Sequence, residues 1–207
     1  MSSTSPLDIK AIAFDLGGVL VKVDHGRFCR GLGLLTGRSP EAVYAQVFET
    51  DLEPGYDTGR ISSREFYQGV VTRLGVAIPF ADFSLLWRDI FAPMEAVEAV
   101  LAHLQPRYPL FLLSNTNPLH FDYIREQFAS LLKPFKAFIL SYRVGSRKPE
   151  AGIYQALIRR AGRPAPQILY LDDKLPFVEA ARGQGLTAWH FTTPQDFLRD
   201  LQRSGLW

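Results

Sequence analysis

The second half of the chain alternates between short apolar runs and segments of helical periodicity, and this rhythm limits the folds available to it. The apolar runs occupy residues 109–113, 137–140, 168–171 and 187–191, and an earlier run of the same kind occupies 9–14. Helical periodicity lies between them, at 96–104, 119–128, 150–161 and 177–182. Nearly continuous apolar runs are typical of strands buried on both faces. The alternation therefore predicts an α/β fold, a Rossmann-like doubly wound parallel sheet with helices on both faces.

Residues 24–90 interrupt this rhythm after the first predicted strand. They contain amphipathic helical stretches at 41–48, 63–74 and 80–90 and no convincing strand, with turn-forming residues at 53–59. Ser62 and Glu65 fit a capping box, which predicts that a helix begins there. We therefore predict a core made of residues 1–22 and 92–207, with a helical insertion at 23–91 that ends near Pro93.

Charge and cysteine content narrow the class of protein. The 23 basic and 21 acidic residues are interspersed, and the net charge is only +2, so we expect no nucleic-acid partner. Cys29 is the single cysteine, which rules out an internal disulfide or a cysteine-based zinc site and suits a reducing cytoplasm. The N-terminus has no apolar leader pattern, and no apolar run approaches a membrane span of about 18 residues. We expect a cytoplasmic monomer or homodimer with no membrane partner.

Polar residues that could carry chemistry stand where predicted strands end. Asp15 ends the first strand, Ser114 a later one, and the pair Asp172 and Asp173 another, while Lys148 follows the run at 137–140. In open α/β sheets, ligands bind at the carboxyl ends of the strands. Carboxylates suit Mg²⁺, which also binds substrate phosphate. The pattern therefore predicts a site for a divalent cation and a phosphoryl group.

Four short stretches give this pattern a family resemblance. Asp-Leu-Gly-Gly-Val-Leu (15–20), Leu-Ser-Asn-Thr (113–116), Arg-Lys-Pro-Glu (147–150) and Leu-Asp-Asp (171–173) stand in the order and spacing of four motifs. Together they resemble the haloacid dehalogenase-like superfamily, although each alone is a weak signal. Longer matches, including Ile-Tyr-Gln (153–155), resemble the bacterial glucose-1-phosphate phosphatase-like branch. That branch implies a small phosphorylated substrate, a sugar phosphate such as glucose 1-phosphate.

The resemblance implies a Mg²⁺-dependent phosphatase in which Asp15 is the covalent nucleophile. Mg²⁺ would be bound by the Asp15 and Asp173 carboxylates and the Gly17 backbone carbonyl, with Asp172 binding directly or through water. The phosphoryl oxygens would contact Ser114, the backbone N–H of Asn115, Gly18 and Lys148.

Each of these residues also has a structural interpretation. Asp15 and Ser114 suit helix N-caps, and paired aspartates suit a turn at a strand end. Lysine is usually a surface residue, but Pro149 at the first position of a helix would hold Lys148 at the helix start. His25, just inside the insertion, could face the substrate or be structural, and we expect a structural role for His120.

Two residues depart from the family pattern. Gly17 stands where most phosphatases of the family carry a second Asp as general acid and base, and Phe177 stands where many carry Asn. Three explanations remain: a sugar 1-phosphate whose leaving group needs little acid catalysis, a haloacid dehalogenase, or a catalytically weak binding or regulatory protein. The paired aspartates argue against the dehalogenase, which works without a metal. Polar contacts to substrate from the insertion could come from Asp24, Tyr56, Asp57 and Arg60.

Overall fold

The computed structural model describes residues 8–94 and 97–207. The expectation about an N-terminal leader falls largely on residues 1–7, which lie outside this description, as does the first residue of the helix predicted at 96–104. Across the described ranges, no helix has both the length and the apolar character needed to cross a membrane.

A parallel sheet forms the centre of the described structure. Its strands, in spatial order, are β5 (Phe135–Leu140), β4 (Leu110–Ser114), β1 (Ala11–Phe14), β6 (Ile168–Asp172) and β7 (Thr187–His190). All four neighbouring pairs are parallel. The predicted α/β class is confirmed. Because the chain builds outward from β1 on one side and then returns to the other, β1 lies between β4 and β6, where the strand order switches.

Alternate residues of the strands pack into two separate apolar cores. Ile12 and Phe14 of β1 join the core on one face, whereas Ala11 and Ala13 join the core on the other. All four of these β1 side chains are buried. This two-sided burial is the reason the strands are apolar at nearly every position.

Helices cover both faces of the sheet. They are α6 (Val97–Leu104), α7 (Pro118–Gln127), α8 (Ala129–Leu132), α9 (Ser141–Val144), α10 (Ala151–Ala161), α11 (Leu175–Gly183) and α12 (Pro194–Arg203). Side-chain caps begin two of them, because Asn117 accepts a bond from the backbone of α7 and Thr193 from that of α12.

The segment after β1 is helical, as predicted. We call its helices the inserted helices: α1 (His25–Thr36), α2 (Pro40–Phe48), α3 (Leu52–Asp57), α4 (Ser63–Leu74) and α5 (Phe80–Arg88). Both bonds of the predicted capping box between Ser62 and Glu65 are present at the start of α4. The Trp87 ring packs edge-on against Phe28 and tilted against Phe66, and these three buried rings lie among the inserted helices.

Two short strands join the inserted helices to the sheet, and the sequence analysis missed both. β2 (Val21–Val23) and β3 (Phe91–Pro93) pair antiparallel, with Val21 opposite Pro93. Three residues are too few to show the alternation that identifies a strand. Their pairing brings the start and end of the insertion together.

Two local predictions were wrong. The turn predicted at 53–59 is limited to its last two residues, because α3 runs through Pro54 and Gly55 and ends at Asp57. Pro54 is tolerated because it lies in the first turn of the helix, where its missing N–H has no helical partner. Pro149 does not occupy the first position of a helix either, since Glu150 is the N-cap of α10 and Pro149 precedes it.

Candidate active site

Asp15 is the first residue after β1 and lies at the carboxyl edge of the sheet. Its backbone N–H donates to the carbonyl of Leu171 at 2.8 Å, which extends the pairing with β6 by one residue. The residue is 7% exposed. The pKa of its carboxyl group is raised to about 7, mainly by burial; the positive charge of Lys148 opposes this rise, and the charge of Asp172 adds to it.

Lys148 is a fully buried cation that joins the ends of β1 and β6. Its Nζ lies 2.8 Å from Asp15 Oδ1, 2.6 Å from Asp172 Oδ2 and 3.0 Å from the Tyr170 hydroxyl. Burial alone would lower the pKa of Lys148, but the two carboxylates outweigh burial and raise it. The side chain is therefore a fixed positive charge beside Asp15, although most lysines in proteins lie at the surface.

The side chain of Asn115 holds the backbone of Lys148 in place. Asn115 Nδ2 donates to the Lys148 carbonyl at 3.0 Å, and its Oδ1 accepts from the Lys148 N–H at 2.8 Å. Ser141 braces the same loop, because its hydroxyl bonds both the N–H and the carbonyl of Thr116. These positioning contacts could not be predicted from the motifs, which gave Asn115 only a backbone role.

The two adjacent aspartates have different environments. Asp172 is completely buried, and its oxygens accept bonds from Lys148, the Tyr170 hydroxyl and the Lys174 N–H. Asp173 is only partly buried, and its Oδ1 has no hydrogen-bond partner among the described residues. Burial raises the pKa of Asp173, and the charge of Asp172 adds to this effect. Asp173 is the carboxylate left free for a cation, whereas Asp172 fixes Lys148.

The loop after Asp15 is closed tightly around two glycines. Gly18 has a φ of +79°, and its N–H donates to the Val21 carbonyl at 2.8 Å. A Cβ at Gly18 would overlap the Asp173 carboxylate. A Cβ at Gly17 would lie 2.8 Å from Val23 Cγ2. Side chains are therefore excluded at both positions as the loop packs here, and Val23 fills the space beside Gly17.

A cavity of about 320 Å³ opens between the sheet edge and the inserted helices. Its lining includes seven of the predicted site residues, Asp15, Gly17, Gly18, Ser114, Asn115, Lys148 and Asp173. The inserted helices contribute His25, Glu53 and Asp57. The structure thus brings the predicted residues together, with Asp172 directly behind them.

Of the four polar residues proposed from the insertion, only Asp57 lines this cavity. Asp24 is exposed and pairs with Arg30, and Tyr56 is buried with its hydroxyl bonded to Ser63. Arg60 is exposed and donates to Thr58.

Three charged residues of the cavity lining were not predicted: Glu53, Arg147 and Lys174. Arg147 lies within the Arg-Lys-Pro-Glu stretch at 147–150, and Lys174 directly follows Asp173, so the motifs themselves offered a signal for both residues. Glu53 lies four residues before Asp57, a spacing that places two side chains on one helix face. The spacing is informative only in a helix, and the sequence favours a turn at these residues, so Glu53 could not be predicted from it.

His25 and His120 both line the cavity, but their side chains are packed differently. His25 stacks on Phe48 at a centroid distance of 4.7 Å, and burial lowers its pKa. His120 is bonded on both ring nitrogens, to Asn117 and to the carbonyl of Trp87, and burial lowers its pKa to about 3. These contacts agree with the structural role expected for His120.

A buried lysine between two aspartates, with a third carboxylate free at the same sheet edge, defines an α/β protein with a candidate hydrolytic site. A family model described as haloacid dehalogenase-like hydrolase matches residues 9–185. The chain belongs to this family.

Similar proteins agree with this assignment. The chain is 24% identical over 200 residues to D-ribitol-5-phosphate phosphatase of Bacteroides thetaiotaomicron, covering 93% of this chain and 97% of the relative. A predicted hydrolase of the family from Porphyromonas gingivalis has a TM-score of 0.82 at 23% identity, covering 94% of this chain and 97% of that one. A family enzyme from Bacteroides thetaiotaomicron, solved with magnesium and inorganic phosphate, has a TM-score of 0.77 at 22% identity, covering 89% and 95%.

Proposed function

We propose that the protein is a Mg²⁺-dependent phosphatase that hydrolyses a small phosphate monoester through an aspartyl-phosphate on Asp15. The observation that carries this proposal is the position of Asp15 on the cavity wall, held by Lys148 and close to Asp173. The magnesium and phosphate in the structure of the Bacteroides thetaiotaomicron enzyme support it by similarity.

The donor set at this edge fits Mg²⁺. Carboxylate oxygens of Asp15, Asp172 and Asp173 lie within 4.8 Å of one another, and the unpartnered Asp173 Oδ1 is buried. Asp15, Asp173 and the Gly17 carbonyl would hold the ion, with Asp172 behind them. Bound there, Mg²⁺ would offset the repulsion between an anionic nucleophile and an anionic phosphate.

In the proposed reaction, the Asp15 carboxylate forms a bond to phosphorus while the bond from phosphorus to the ester oxygen breaks, and the leaving alkoxide takes a proton from solvent water to become the alcohol. A second water then attacks the aspartyl-phosphate and gives up a proton to solvent, which regenerates the Asp15 carboxylate and releases phosphate. Ser114, the Asn115 N–H, Gly18 and Lys148 would bind the phosphoryl oxygens. The buried Lys148 cation would balance charge on Asp15 throughout.

Gly17 provides no acid to protonate the leaving alcohol. We therefore propose a substrate with a good leaving group, a sugar phosphate such as glucose 1-phosphate, whose ring oxygen withdraws charge from the departing oxygen. Residues 23–91 would act as a cap that closes over the phosphate and excludes water. The free Asp173 carboxylate disfavours a metal-independent dehalogenase.

A panel of phosphate monoesters assayed with and without Mg²⁺ tests the proposal. We expect phosphate release that depends on Mg²⁺, and Mg²⁺ should raise the thermal unfolding temperature of the wild type but not of Asp173→Asn. Absence of phosphate release from every ester by folded protein would refute the phosphatase. Chloride release from 2-chloropropionate in EDTA would establish the dehalogenase instead.

A further inference from the structure

The inner face of α3 carries two carboxylates that the proposed chemistry does not use. Glu53 and Asp57 stand one helical turn apart, and both line the cavity. The Asp57 side chain is only 6% exposed. Burial of paired carboxylates is costly unless a partner satisfies them.

Their contacts leave several polar atoms free. Asp57 Oδ1 accepts from Asn117 Nδ2 at 3.2 Å, but Oδ2 lies 3.8 Å from the nearest Arg147 nitrogen, beyond hydrogen-bond distance. Glu53 is half-buried in the same cavity lining, and Arg147 Nε is buried without a hydrogen-bond partner within residues 8–94 and 97–207. This part of the cavity lining therefore combines carboxylate acceptors with a donor that has no partner.

The charges around these carboxylates agree with that arrangement. Burial raises the pKa of Glu53 to about 7, and Asp57 adds to the effect, while Arg147 and Lys174 oppose it. Burial likewise raises the pKa of Asp57 to about 6, against Arg147, Asn117 and Lys174. Hydrogen-bond donors from a ligand would offset the cost of keeping both groups ionised.

The chemistry of the missing ligand follows from the mixture of donors and acceptors. A hydroxyl group both donates and accepts, so it can satisfy a carboxylate and Arg147 together. An ammonium group only donates and would be repelled by Arg147 and Lys174. An alkyl group would bury the carboxylates without hydrogen bonds.

We propose that Glu53, Asp57 and Arg147 form a hydroxyl-binding subsite that selects a polyhydroxylated leaving alcohol. This inference rests on the proposed phosphatase function and names the part of the substrate that the inserted helices recognise. Glu53 and Asp57 accept from neighbouring hydroxyls, and Arg147 donates to one of them.

Matched pairs of esters test the subsite. Ribitol 5-phosphate and n-pentyl phosphate share chain length, glucose 6-phosphate and cyclohexylmethyl phosphate share a ring, and only the first of each pair has hydroxyls. We expect wild type to favour one or both hydroxylated esters in kcat/KM. Glu53→Leu should lower that preference by about tenfold to a hundredfold, the effect of losing a hydrogen bond to a charged group. Glu53→Gln should lower it less, and Glu41→Gln, an exposed glutamate on α2, should leave it unchanged.

The outcomes separate this inference from the proposed function. Lack of preference in both pairs, or an equal loss on hydroxylated and plain esters in Glu53→Leu, would overturn the subsite while leaving the phosphatase intact. If wild type hydrolyses none of these four esters, the wider panel of phosphate monoesters decides the phosphatase, and binding of the same four esters to Asp15→Asn still tests the subsite. There we expect the preference for hydroxylated esters to disappear when Glu53→Leu is added, and its persistence would refute the subsite.

Discussion

Single residues decide the chemistry at the end of β1. Asp15 is buried, paired with Lys148 and adjacent to a carboxylate free for a cation. Gly17 has no side chain at the position where most phosphatases of the family carry an Asp, and Val23 occupies the space next to it. These two features lead to separate predictions.

Replacing Asp15 by Asn should abolish turnover, because the amide cannot act as a nucleophile. We expect kcat for phosphate release to fall by about 10³-fold or more. The fold should persist, since Asn has the same shape and keeps an oxygen beside Lys148. Asp24→Asn, which changes an exposed carboxylate on the inserted helices, is the matched control. Circular dichroism and phosphate release measure both effects; wild-type turnover in Asp15→Asn would place the nucleophile elsewhere.

Restoring an acid at position 17 should require a second substitution. An aspartate at Gly17 meets Val23 Cγ2, so Gly17→Asp alone should not accelerate hydrolysis of alkyl phosphates. Adding Val23→Ala makes room, and the double variant should exceed Gly17→Asp by about tenfold or more in kcat, as expected for a general acid. The Val23→Ala single variant controls for changes at the cavity mouth. Acceleration by Gly17→Asp alone would show that the loop adapts without help from Val23.

At the scale of elements, α3 joins the inserted helices to the site. It is six residues long, and its two cavity-facing carboxylates have pKa values raised by burial. Such groups bind protons more strongly in the folded chain than in the unfolded one. Their contribution to stability is therefore complete below about pH 4 and is lost as pH rises through about 6 to 7.

Glu53→Gln removes the titration that belongs to Glu53. The difference in free energy of unfolding, Glu53→Gln minus wild type, should become more positive by on the order of 1–3 kcal/mol as pH rises from 5 to 8. The reason is that the wild type loses stability over this range when Glu53 ionises. Urea unfolding at the two pH values measures the difference. Glu41→Gln should show no such gain. A gain for Glu53→Gln that shrinks with rising pH would mean that the folded chain stabilises the charged carboxylate.

At the scale of the whole molecule, a buried hydrogen-bond network ties the inserted helices to the sheet domain through Asn117. Its Oδ1 accepts from the Trp87 indole at 3.2 Å, and its Nδ2 donates to Asp57. The same side chain caps α7 through the His120 N–H. One residue thus satisfies groups on α3, α5 and α7 at once.

Asn117→Ala should destabilise the protein by about 2–4 kcal/mol, because it removes a helix cap and leaves buried polar groups without partners. Thr193→Ala, which removes the cap of α12 without such a network, should cost only about 1 kcal/mol. Urea unfolding of both variants gives the comparison. Equal losses would show that the bonds to Trp87 and Asp57 add nothing to stability.

The sequence by itself determined the sheet, the helical insertion and the contents of the strand ends. A strand buried on both faces must be apolar at nearly every position, so the apolar runs at 9–14 and 168–171 could be predicted to be strands. Because parallel strands place their carboxyl ends at one edge of the sheet, the sequence alone predicts that Asp15, Ser114 and Asp173 lie together.

Only the tertiary structure decided how the polar groups share their partners. The sequence alone does not distinguish the roles of the neighbours Asp172 and Asp173. In the structure, Asp172 accepts hydrogen bonds from Lys148 and Tyr170, whereas Asp173 Oδ1 has no hydrogen-bond partner among the described residues. Glu53 and Arg147 line the same cavity only because the inserted helices lie over the sheet edge. Strand and helix patterns arise from local periodicity, whereas these pairings depend on side-chain contacts between residues distant in sequence, which periodicity does not encode.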